Sequence, residues 1–129
     1  MPYIFYVESI NQPDIVFRKI SLCDNALVTK FVETICDSFG LKIKNILEYE
    51  LKNDSMRITS AQLENMPLFK KKKINFDYIF ENQNECRLSI KHTLGTVQMQ
   101  VVLVERQEEE NNLPMIIQSK GRLTMLARR

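Results

Sequence analysis

The residues able to do chemistry in this chain are mostly cationic. Lys70-Lys71-Lys72-Lys73, flanked by Phe69 and Phe76, is the most conspicuous charge run. Such a run could contact phosphates, joined by Arg128 and Arg129 at the C-terminus. It reads equally well as a solvated loop, or as lysines that keep an edge strand from pairing with another chain. Glu108-Glu109-Glu110 offsets it unless the two stretches lie on different faces, and a net charge of +2 does not by itself argue for nucleic acid. His92, the one histidine, falls in phase with Cys86, Leu88 and Ile90. A Cys–His pair could be nucleophile and base, or half a metal site. The plainer reading is a buried, inert Cys86 and a strand-end His92. A zinc site from Cys23, Cys36, Cys86 and His92 would remove a cysteine from a helix stripe and has no C-x-x-C pair. No cofactor or metal is expected.

Arg18 is the more informative charge. It shares a strand phase with Val16, Ile20 and Leu22. Either it points inward, or a bulge resets the alternation. Pointing inward, it must find a carboxylate or carbonyls, because an unpaired buried cation is too costly, and it would be a buried anchor first and a ligand clamp second. Glu48 and Glu50 share one strand face, where a wet surface is the simpler reading than an acid–base pair. Val102 and Val104 are apolar on a face that Gln98 and Gln100 make polar, which predicts a cover by the C-terminal segment or by another copy of the protein.

The elements that must position these residues follow from periodicity. Leu27, Val28, Phe31, Val32, Ile35, Cys36 and Phe39 form one apolar stripe of helical period, with Asp24 placed as N-cap and Gly40 just past the end. Strands are expected at Tyr3–Val7, Ile15–Leu22, Ile46–Leu51, Ile74–Phe80, Cys86–His92 and Val97–Leu103, with Met56–Ile58 a short extra one. Thr59 and Gln62 form a capping box for a short helix, Ser60 to Met66, stopped by Pro67. The expected fold is α+β: a mainly antiparallel sheet of about six strands with one main helix on one face, in a β-grasp-like order β-β-α-β-α-β-β-β.

At 129 residues the chain reads as one domain, with about 113–129 a flexible or loosely packed tail. Three widely spaced cysteines read as reduced thiols of a cytoplasmic protein, and neither a membrane span nor a signal peptide is visible. Three scattered glycines exclude a Walker loop and a dinucleotide fingerprint.

The order of residues from Tyr3 to Gly40 resembles the plasmid pRiA4b ORF-3-like family. That family opens with a strand, an I-x-P-P-I-W-R-R-I segment and a helix ending in Gly-Trp. Here Ile10-Asn11-Gln12-Pro13-Asp14-Ile15-Val16-Phe17-Arg18-Lys19-Ile20 leads to a helix ending at Phe39-Gly40. Phe76, Tyr78 and Phe80 keep the aromatic alternation of the family's second signature, Y-x-Y-D-F-G-D. Ile79, Glu81 and Asn82 replace its Asp, Gly and Asp, and the chain has no tryptophan. The resemblance implies an α+β domain from a family found on plasmids and mobile elements, some relatives being described as transposon-associated resolvases, with no established biochemical activity. Two functions are therefore expected as alternatives. One is a non-catalytic module that binds a protein partner or itself. The other is a nucleic-acid-binding accessory protein using Lys70–Lys73 and the basic C-terminus.

Overall fold

The computed structural model describes residues 2–10, 16–23, 25–106, 115–121 and 126–127. Its strands are β1 (Pro2–Ser9), β2 (Phe17–Cys23), β3 (Ile46–Lys52), β4 (Arg57–Thr59), β5 (Glu85–His92), β6 (Gly95–Arg106), β7 (Met115–Lys120) and β8 (Leu126–Ala127). They form one sheet in the order β4-β3-β5-β6-β1-β2-β7, and β8 joins the start of β6. Every pairing is antiparallel. The fold is α+β, and six of the strands are six residues or longer.

Helix α1 (Val28–Ser38) lies on one face of the sheet and buries Val28, Phe31, Val32, Ile35 and Cys36. Its cap position is Leu27, which makes no side-chain cap; Asp24, the expected cap, lies outside the described residues. Gly40 adopts φ +76°, the left-handed backbone that a Cβ disfavours, and the chain then turns so that Leu41 N–H donates back to the Cys36 carbonyl at 2.8 Å. The capping box forms as the sequence predicts: Gln62 N–H donates to Thr59 Oγ1 and Thr59 N–H to Gln62 Oε1. It starts α2, which spans Ser60–Glu64 and ends two residues earlier than expected.

Two segments depart from the expected order. Ile74–Phe80 is not a strand. Asn75 accepts a hydrogen bond from Tyr78 N–H at 2.9 Å and starts a helical turn, Phe76–Ile79. A preceding turn of helix, α3, covers Leu68–Lys71, so this second turn is α4. Phe76, Ile79 and Phe80 sit at i, i+3 and i+4, which one side of a helix presents together, and all three are buried. A local cap thus overrode an alternating pattern that also fits a strand. The sixth long strand comes instead from the expected loose tail: Met115–Lys120 pairs with β2 at the sheet edge.

The core is aromatic at its centre. The Phe5 ring of β1 lies 5.0 Å from Phe31 of α1 and 4.9 Å from Phe76 of α4, and Phe31 lies 5.1 Å from Phe76. All three are fully buried. Edge-to-face pairs of this kind add about 0.5–1.5 kcal/mol each beyond the area they bury. At the sheet end Tyr3 donates to Asp77 Oδ1 at 2.5 Å, and Arg106 sits over the Tyr3 ring at 5.0 Å and 3.7 Å from the same carboxylate. This cluster pins α4 to β1 and β6.

Candidate functional site: a notch between α1, β3 and α2

Strand β3 carries the irregularity that makes the site. Tyr49 and Leu51 oppose Ile90 and Leu88, while Ile46 opposes His92 and Glu48 opposes Lys91. Leu47 is left over between them, so a bulge turns it out of the alternation that the sequence suggests. The Leu47 side chain is 55% exposed, and Ile43, in the 3-10 turn Ile43–Asn45, is 40% exposed. Together with Tyr49, Val32 of α1 and Leu63 of α2 they line a notch of about 230 Å³. Small-molecule sites typically span about 300–1,000 Å³, so this one is sized for a side chain or two.

The rim is charged. Glu33, Glu48 and Glu64 line it, with Lys71 as the one cation among the lining residues. Glu48 is 4.0 Å from Lys91, and that ion pair is exposed. Burial first, then the charges of Glu33, Cys36 and Glu64, push the Tyr49 phenol up to about 12, so it remains protonated. Its hydroxyl has no hydrogen-bond partner among the described residues and is available to a ligand.

The residues singled out from sequence are dispersed. Lys70 and Lys71 end α3, and Lys72 and Lys73 follow it; all but Lys71 are exposed. Arg128 and Arg129 lie outside the described residues. Glu48 and Glu50 share the wet side of β3, and Glu50 pairs with Arg57 at 2.9 Å. Arg18 is buried in phase with Val16, Ile20 and Leu22. Its Nε donates to the Ser38 carbonyl at 2.6 Å, Nη1 to Phe17 O at 2.7 Å and Nη2 to Gly121 O at 3.0 Å. The guanidinium also lies 4.5 Å above the Phe39 ring. Desolvation lowers its pKa, yet an arginine stays charged in proteins. It thus serves as the C-terminal cap of α1, where unpaired carbonyls and the negative end of the helix dipole favour a cation.

Cys86 and His92 occupy opposite ends of β5, about 20 Å apart at the rise of an extended strand, so they cannot act as nucleophile and base. His92 is buried; its Nδ1 accepts from Leu94 N–H at 3.2 Å, and its Nε2 has no hydrogen-bond partner among the described residues. Among the described residues no three His, Cys, Asp or Glu side chains are grouped to hold a metal. Val104 is 51% exposed, and β7, the long described strand of the C-terminal segment, lies beside β2 in the sheet rather than over Val102 and Val104.

The thiols of Cys36 and Cys86 are pushed up to about 12, in both cases first by burial, with Asp37 and Glu33 adding to the effect at Cys36. An acid whose folded pKa exceeds its unfolded value adds stability that is complete below the unfolded pKa. That stability is lost as pH rises toward the folded one. Unfolding free energy is therefore expected to be level near neutrality and to fall between about pH 9 and about pH 12. Urea titrations across that range check this. Cys36→Ala with Cys86→Ala should flatten the fall even as it lowers stability at neutral pH.

No family model and no curated protein matches the chain. A solved structure does: the protein of unknown function MM3350 from Methanosarcina mazei Go1, at 16% identity and a TM-score of 0.65. The match covers 92% of this chain and 68% of that one. At this identity the likeness concerns the fold alone. No helix among the described residues is long and apolar enough to cross a membrane.

Proposed function

We propose that the protein is a non-catalytic interaction module, and that the notch beside Leu47 receives an apolar side chain of a partner segment carrying lysine or arginine. The observation that supports this reading is the bulge in β3, which places Leu47 in water next to Ile43 and inside a ring of three carboxylates. An apolar floor with an acidic rim suits a peptide whose anchor is flanked by positive charge. Panning a displayed peptide library on the protein tests it. Enrichment of Leu-, Ile- or Phe-anchored basic peptides that lose about tenfold or more in affinity for Leu47→Asp is expected. Peptides that bind Leu47→Asp as well as the parent protein would refute it.

A second reading, a nucleic-acid-binding accessory protein, is favoured by one feature. Lys70, Lys72 and Lys73 are exposed beside Phe69, which is 63% exposed, and none of the three has an ion-pair partner among the described residues. The order strand, strand, helix and terminal glycine from Pro2 to Gly40 is what a diverged plasmid pRiA4b ORF-3-like protein would have, and we propose that kinship. DNA retention that falls steeply with salt and is lost when Lys70, Lys72 and Lys73 become glutamine would favour this second reading; no retention at low salt would remove it.

A further inference from the structure

On the face of the sheet turned away from α1, like charges stand in a row. Register places Arg57 of β4 opposite Lys52 of β3, and Lys52 opposite Arg87 of β5; Gln100 of β6 follows. Directly opposed like charges destabilise a strand pair, so such a row calls for a counter-charge. Arg57 has one, Glu50 at 2.9 Å. Lys52 and Arg87 have none among the described residues. The nearby carboxylates are turned to amides instead: Glu85 accepts from Gln100 Nε2 at 3.1 Å, and Asp54 accepts from Gln83 Nε2 at 2.7 Å while its own N–H donates to Gln83 Oε1 at 3.0 Å.

Both free cations open onto one cleft of about 510 Å³, formed by residues 52–54, 83–87 and 100. It shares no lining residue with the Leu47 notch. Its volume falls within the usual range for small-molecule sites. The exposed Asn84 side chain also lines it and has no hydrogen-bond partner among the described residues. We infer that this cleft binds a small hydroxylated molecule carrying one oxyanion, a phosphate or a carboxylate. Lys52 supplies a point charge to the anion and Arg87 a planar fork of donors. Asn84, Asp54 and Glu85 meet the hydroxyls. A nucleic-acid strand fits poorly, because Glu50, Asp54 and Glu85 surround the cation pair and would repel successive phosphates.

Amide-resolved NMR titration at matched ionic strength tests the assignment, with inorganic phosphate, acetate, a hexose 6-phosphate and the free hexose as probes. Saturable shifts at residues 52–54 and 84–87 are expected for an anion, with the hexose phosphate about tenfold tighter than inorganic phosphate. Preference for phosphate or for acetate identifies which oxyanion the site takes, and either supports the inference. Arg87→Gln and Lys52→Gln, both exposed substitutions that leave the rest of the spectrum in place, should each weaken binding by about tenfold. Shifts that stay linear in anion, or that persist unchanged in both variants, overturn it. So does binding restricted to duplex DNA.

Discussion

Replacing Phe76 by alanine is expected to lower the unfolding free energy by about 3–5 kcal/mol, while Tyr78→Ala changes it by about 0.5 kcal/mol or less. The two residues are neighbours in one alternating pattern, and a strand through Ile74–Phe80 would bury both. In the structure the Asn75 cap makes this a helical turn. Phe76 is then fully buried against Phe5 and Phe31, and Tyr78 is half exposed. Removing the Phe76 ring leaves a cavity between β1, α1 and α4 that the surrounding rings cannot all collapse into. Domains are stable by only about 5–15 kcal/mol, so the loss is a large share of the total. Urea denaturation of both variants measures the contrast, and equal losses would contradict the helical turn.

Arg18→Met is expected to cost roughly 2–4 kcal/mol, from buried carbonyls left without donors and a lost cation–π contact. Methionine keeps the apolar stem, so the effect isolates the guanidinium. Arg18→Lys should recover only part of the loss, since one ammonium cannot reach the carbonyls of Phe17, Ser38 and Gly121 in the same geometry. The position of the damage is also specific. Gly121 follows β7 directly, so amide exchange in Met115–Lys120 should accelerate more in Arg18→Met than exchange in β5. Uniform acceleration would mean that Arg18 anchors nothing in particular.

Much of the fold was legible where local chemistry and global packing agree. The stripe of α1, the Gly40 stop, the Thr59 capping box and the β5–β6 hairpin around Gly95 are such places. The inward placement of Arg18 was one of two readings open in its strand phase. The structure takes that one, and the irregularity where β2 pairs with β7, between Lys19 and Ile20, carries its extra residue on β7 and so leaves the alternation of β2 around Arg18 intact. Ile74–Phe80 misled because Phe76 and Phe80, two members of the alternating aromatic set, also form an i, i+3, i+4 set with Ile79, and only the cap decides between the two patterns. The Leu47 notch was invisible because Leu47 fits the inward phase of Tyr49 and Leu51. Nothing in the local sequence announces that the partner strand skips it. The Lys52–Arg87 row needs the strand order β4-β3-β5, which no single segment encodes.

The place of β1 in the sheet bears on how the chain is made. It lies between β2, its neighbour in sequence, and β6, where Tyr3 pairs with Arg106. In synthesis β1, β2 and α1 precede β6, so one edge of β1 stays open and Phe5, though it can already meet Phe31, still lacks Phe76 and Phe80. The seam that closes over them arrives only when most of the chain has been synthesised. Long-range pairing of this kind is slow, and the waiting edge is open to unwanted partners. Until β6 is made, that edge of β1 is the part of the fold most open to pairing with other chains.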